Sequence, residues 1–142
     1  MEEFVFLDEI ATADVAIESR GDTLEELFRA SAIATFAVMV DIRGVQPKVK
    51  KEIHLENREI DKLLFDWLAE IIYLKDSEFM VFSKFDIDIK KNSNYYLNAE
   101  VFGEEINQSE HELRCDVKAI TFHLFDVYEK DGKWISRFVL DI

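Results

Sequence analysis

Residues 23–40 read TLEELFRASAIATFAVMV. Thr23 and Glu26 form a capping box, in which the threonine hydroxyl accepts an amide proton of the first turn and the glutamate reaches back. From Ala30 to Val40 no residue is charged, and apolar side chains fall nearly all round the helical circuit. A helix that is apolar on every side must be covered on every side. The stretch predicts a central core helix over 24–40, and the rest of the chain has to wrap it.

The flanks supply the wrapping. EEFVFLD (2–8) reads as a short strand. TADVAIES (12–19) alternates, with Ala13, Val15 and Ile17 on one face and Asp14, Ala16 and Glu18 on the other. Gly21-Asp22 turns the chain into the helix. After Pro47, VKKEIHL (49–55) is a strand. NREIDKLLFDWLAEIIYLK (57–75) then puts Ile60, Leu63, Leu64, Trp67, Leu68, Ile71 and Ile72 on one helical face. Asn57 is the expected N-cap, and acids and lysines form the solvent face. FMVFSKFDIDIK (79–90) and YYLNAEVF (95–102) make an antiparallel pair around the turn KNSN, with Tyr95, Leu97, Ala99 and Val101 inward. GEEINQSEHELRCD (103–116) lacks a period and reads as a long loop. VKAITFHLFDVYE (117–129) is apolar on both faces and is expected to be a central strand. KDGK is a hairpin turn, and WISRFVLDI (134–142) pairs back. The sum is an α+β fold: one domain over 1–142, a largely antiparallel β-sheet covered by two principal helices.

Composition narrows function. The chain has 142 residues, 49% of them hydrophobic and 13% aromatic, which suffices for a substantial core. Thirty acids against 17 bases give a net charge of −13. That opposes direct tight binding of nucleic acid and favours divalent cations or a basic partner protein. The acidic start does not resemble a secretory signal, no stretch is suited to span a bilayer, and a single cysteine excludes an internal disulfide. These features point to a cytoplasmic protein with no membrane partner.

No phosphate-binding glycine loop, GxGxxG, GxSxG or HExxH is present, and Cys115 has no CxxC partner. Cys115 with His111 or His123 is the remaining nucleophile pairing, without an identifiable orienting group. Acids on strand faces say more. Asp14 lies on the polar face of its strand, and Asp141 is followed only by Ile142. Hard cations such as calcium, manganese or magnesium take oxygen ligands. Asp14, Asp141 and the main-chain oxygens of Ile142 supply part of such a shell.

TADVAI, GDTLEELFRASAIATFAVMVD, HELRCDVKAITFH and the ending W…VLDI together resemble the archease family, in its order and at its length. The resemblance implies a small cytosolic protein that assists the GTP-dependent, RtcB-type RNA ligase of tRNA splicing. It implies promotion of ligase guanylylation and multiple turnover, contact with tRNA only indirectly, GTP reached through the ligase, and a calcium site. It carries the metal-binding aspartates onto Asp14 and Asp141, the terminal oxygens onto Ile142, and the ligase-stimulating lysine onto Lys118. Asp41, His111 and His123 are further candidates for ligase activation. Two positions depart: Ala11 stands where many archeases have histidine, and Phe122 where tyrosine is usual. The alternative is a stand-alone metal-dependent enzyme or nucleotide-binding module.

Overall fold

Thr23 caps the central helix as its sequence requires: its hydroxyl accepts the Glu26 N–H at 3.1 Å. The Glu26 carboxylate reaches back one residue further than the cap, to the Asp22 N–H at 3.3 Å. The computed structural model describes residues 2–7 and 14–142. The expected roles of Asp8, Ala11, Thr12 and Ala13 lie outside the described residues. The elements are β1 (Glu3–Leu7), β2 (Asp14–Gly21), α1 (Leu24–Met39), β3 (Val49–Asn57), α2 (Ile60–Glu78), β4 (Met80–Lys91), β5 (Tyr95–Glu105), β6 (Ala119–Lys130) and β7 (Lys133–Asp141). A 3₁₀ turn, Ile42–Gly44, follows α1.

The strands form two antiparallel sheets, ordered β1-β2-β7-β6 and β3-β5-β4. Helix α1 lies between them, against β1, β2 and β7 on one side and β4 on the other. This is why its circuit is apolar. Leu27, Phe28, Ala32, Ala34 and Phe36 are fully buried, and the Ser31 hydroxyl meets that of Ser136 on β7 at 3.1 Å. Helix α2 packs across β3, β4, β5 and β6. Trp67 is buried there and its indole N–H donates to the Phe28 carbonyl at 3.0 Å, joining the two helices.

The α+β class and the two helices agree with the sequence reading; four local expectations do not. β6 is an edge strand, and β7 is the inner one. The apolar residues on both faces of β6 reflect an irregular register between Thr121 and Asp126, with Phe122 and Leu124 exposed. Leu124 has φ +55°, and Phe122 stacks on Phe65 of α2 at 3.9 Å. Residues 103–105 belong to β5, not to a loop. Gly103 is there because a Cβ would lie against the Val81 carbonyl oxygen, a close backbone approach beside the bulge in β4. Asn57 ends β3 and is not the cap of α2. Glu59 is the cap, without a side-chain bond, while the Asn57 amide bridges the Glu59 N–H and Asp66. Lys75, expected on the solvent face of α2, is 4% exposed.

Candidate functional site

β2 and β7 run antiparallel in unbroken register from Gly21 opposite Trp134 to Asp14 opposite Asp141. Directly opposite residues project from the same face, with Cβ atoms about 5 Å apart. Ile17, Phe138 and Leu140 turn inward and are buried. The alternation sends Asp14 and Asp141 to the outer face. Both acids are half-buried, and among the described residues neither carboxylate has a hydrogen-bond or ion-pair partner. Like charges in directly opposite positions destabilise a sheet unless something neutralises them.

Ile142 follows Asp141 and packs its side chain against the core, leaving the terminal main chain beside the acid pair. The donors are therefore all oxygens. This suits a hard cation and not zinc or another soft metal. Among the described residues, no three His, Cys, Asp or Glu side chains converge as a metal cluster. The pair with Ile142 fits a shell completed by water or main-chain oxygen.

Asp141 also faces Ala119 of β6, and its carbonyl accepts the Lys118 N–H at 2.8 Å. The Lys118 backbone is thus one hydrogen bond from the acid pair. Lys118 is exposed and lines a groove against Phe65, Ala69, Ile72, Tyr73 and Asp76 of α2. The segment before it is held by Lys75, which the sequence reading missed. The buried Lys75 ammonium donates to Asp116 Oδ1 at 2.6 Å and to the Val117 carbonyl at 2.9 Å, and lies 2.6 Å from Asp76 Oδ1. A lysine at the end of an otherwise amphipathic helix carries no signal of this. The partner residues lie 41 and 42 positions further along the chain.

The other candidates lie apart from the pair. Asp41 caps the 3₁₀ turn, accepts the Arg43 N–H at 3.1 Å, and takes the Arg43 guanidinium at 3.0 and 2.8 Å. These bonds hold its carboxyl at about 2. His111 is buried. Its Nδ1 accepts the Asn107 N–H at 2.9 Å, and its Nε2 lies 3.2 Å from Glu104 Oε1 without hydrogen-bond alignment. With Nδ1 accepting, a neutral ring carries its proton on Nε2. The ring braces the 106–118 loop against β5. His123 is exposed on the irregular stretch of β6. Cys115 is exposed and hydrogen-bonds neither histidine, so the Cys–His pairing is not assembled.

Glu18, on the same outer face as the acid pair, is 6% exposed. Burial alone pushes its carboxyl up, but hydrogen bonds from Arg20 and Arg137 outweigh that and hold it below its ordinary range.

The sequence profile of the archease protein family matches residues 4–142. The chain belongs to the archease family. The archease of Pyrococcus furiosus is 40% identical over 133 residues, covering 92% of this chain and 94% of that one. The archease of Methanothermobacter thermautotrophicus is 37% identical over 143 residues, covering the whole of both. The solution structure of Methanobacterium thermoautotrophicum protein 1598, 37% identical, superposes with a TM-score of 0.87 over 98% of each chain. An archease of known structure from Thermotoga maritima, 22% identical with a TM-score of 0.64, shares the fold. The archease fold of this chain contains no helix, among the described residues, long and apolar enough to cross a membrane.

Proposed function

We propose that this archease is a non-catalytic activator of a GTP-dependent, RtcB-type RNA ligase, acting through a divalent-cation site on the outer face of its four-stranded sheet. The observation that carries the reading is the pairing of Asp14 with Asp141 across β2 and β7, without a protein cation among the described residues. Asp14, Asp141 and the main-chain oxygens of Ile142 would hold the ion, with calcium the first candidate and manganese or magnesium the others. A bound cation supplies positive charge on an otherwise acidic surface, suited to a phosphate or an acidic edge of the partner.

Lys118 adds a second positive element. Its N–H is fixed to the Asp141 carbonyl, and Lys75 fixes the two residues before it. In the complex it acts as a point charge that favours ligase guanylylation, without chemistry of its own. GTP and tRNA are handled by the ligase, and the work takes place in the cytoplasm.

Reconstitution tests the reading. Ligase with limiting and excess RNA is assayed with and without this protein, in calcium and in chelator. The expected result is unchanged single-turnover joining and a metal-dependent rise in guanylylation and multiple turnover. GTP hydrolysis by the isolated protein, abolished in Asp14→Ala, would reverse the assignment in favour of a stand-alone metal-dependent enzyme.

A further inference from the structure

The outer face of the four-stranded sheet continues past the acid pair. Glu18 lies opposite Arg137 and Arg20 opposite Ile135, while β6 adds Tyr128 opposite Ile135. Asp14 and Glu18 are four residues apart on one strand, so the Glu18 row stands roughly 13 Å along the same face. Glu18 Oε2 accepts from Arg20 Nε at 3.1 Å and Nη2 at 2.8 Å, and its Oε1 accepts from Arg137 Nε at 2.8 Å. One buried carboxylate thereby locks two guanidinium groups side by side.

Their outer N–H groups stay available. The Arg20 and Arg137 side chains are 44% and 53% exposed, and no described residue accepts a hydrogen bond from their remaining amino groups. With Tyr128, Lys130 and Lys133 they line a cavity of about 350 Å³. Lys130 has no partner among the described residues, whereas Lys133 is paired with Asp22 and Tyr128 interacts with both Arg20 and Arg137. Asp131 also lines the cavity, Asp126 stands opposite Arg137 and Glu3 of β1 stands opposite Arg20, so the place carries no excess of positive charge. What distinguishes the place is direction: preorganised N–H donors of Arg20, Arg137 and Lys130 that lack acceptors among the described residues, on a chain of net charge −13. Paired guanidinium forks suit the tetrahedral oxygens of a phosphate.

A second cavity, of about 390 Å³, adjoins it and shares Arg137. Leu7, Ala16, Leu124, Phe125 and Val139 give it a mainly apolar wall. A phosphate donor set next to an apolar recess matches the two halves of a nucleotide.

We propose that the outer face of the β1-β2-β7-β6 sheet binds a nucleotide, its phosphate on Arg137, Arg20 and Lys130 and its base in the recess beside Leu124 and Phe125. A free nucleoside phosphate and the phosphorylated end of an RNA strand present the same chemistry. The site requires no ligase and no metal, so it stands or falls apart from the proposed activator role.

The test is calorimetric titration of the purified full chain with AMP, adenosine, inorganic phosphate and a 5′-phosphorylated oligoadenylate. AMP is expected to bind more tightly than adenosine or phosphate. Lys130→Ala and Arg137→Ala each weaken AMP about tenfold, the equivalent of one charge-assisted hydrogen bond. Leu124→Ser, which removes apolar surface without adding charge, weakens AMP and leaves phosphate binding unchanged. Oligoadenylate tighter than AMP assigns the site to RNA ends; equal or weaker binding assigns it to free nucleotide. Lys130 is exposed on the hairpin and its removal spares the core, so it decides the matter if Arg137→Ala unfolds. No heat from AMP at millimolar concentration, or unchanged AMP affinity in folded Lys130→Ala, overturns the proposal. Phosphate binding as tight as AMP binding overturns the placement of the base.

Discussion

Asp14 and Asp141 face each other across β2 and β7, on the outer side of the sheet, with no cation from the described residues between them. In chelator the two carboxylates repel, so Asp141→Asn is expected to leave thermal stability unchanged or slightly raised. With calcium the order reverses. Ligand at a hundred times its dissociation constant stabilises the native state by about 2.7 kcal/mol, and the wild type gains this while Asp141→Asn gains less. Melting curves in EDTA, calcium, magnesium and manganese make the comparison. Identical wild-type curves in all four would remove the cation site.

Lys118 is exposed, and its tie to Asp141 is through the main chain. Lys118→Ala should melt with the wild type and bind cation equally well, because no buried group is lost. Ligase guanylylation at equal protein concentration should fall. Lys118→Arg should recover part of the loss, since a planar fork does not replace a compact ammonium. Full stimulation by Lys118→Ala would exclude this lysine.

Lys75 bonds Asp116 and the Val117 carbonyl from within the core. Lys75→Met removes the charge, keeps most of the volume and leaves the Val117 carbonyl without this donor. The expected loss is about 1–3 kcal/mol in urea unfolding, the cost of an orphaned buried polar group. Amide exchange should quicken at residues 116–118 and stay slow in α1. Uniform acceleration across the chain would show that Lys75 supports the whole fold and not this segment.

Trp67 is fully buried and its indole N–H bonds the Phe28 carbonyl of α1. Trp67→Ala should cost about 3–5 kcal/mol. Denaturant unfolding reads it directly, and a loss below about 1 kcal/mol, the scale of a surface change, would contradict the packing of α2 on α1.

Asp41 and Asp22 are both held at about 2, Asp41 by Arg43 and Asp22 by Lys133. In the unfolded chain an aspartate titrates near about 3.9. A carboxyl with a lower folded value contributes stability that is complete above the unfolded value and is lost as pH falls through the folded one. Stability should therefore drop most steeply between about pH 4 and 2. The deficit of Asp41→Asn relative to wild type should be constant above that window and close within it. A deficit that persists at pH 2 would mean that the carboxyl's charge is not what Arg43 uses.

The elements legible in the sequence depend on short-range chemistry. The capping box of α1, its unbroken apolar circuit, the i, i+3, i+4 face of α2 and the turn at 130–133 are all set by residues within a few positions of one another. That is enough to fix two helices, the periods of the regular strands and most of their inward residues. The archease motifs add the candidate acids, but spacing alone brings nothing together from opposite ends of a chain. Their convergence required β2 to pair with β7 in one register, and a slip of one residue would send either acid inward.

Strand order is likewise non-local. β6 looks central by composition, yet its irregular register and the stacking of Phe122 on Phe65 let an edge strand carry apolar residues outward. Gly103 looks like loop punctuation until the neighbouring strand is seen against it. His111 and Lys75 look like solvent-facing residues until burial brings the first onto the Asn107 N–H and the second onto Asp116 and the Val117 carbonyl. The Arg20–Glu18–Arg137 cluster combines two adjacent rows of β2 with a residue of β7. The sequence by itself determined the local elements and their buried faces, because period and turn chemistry act over a few residues. Tertiary structure decided which strands are neighbours and which charges meet, because those contacts join segments that only the folded chain brings within hydrogen-bond range.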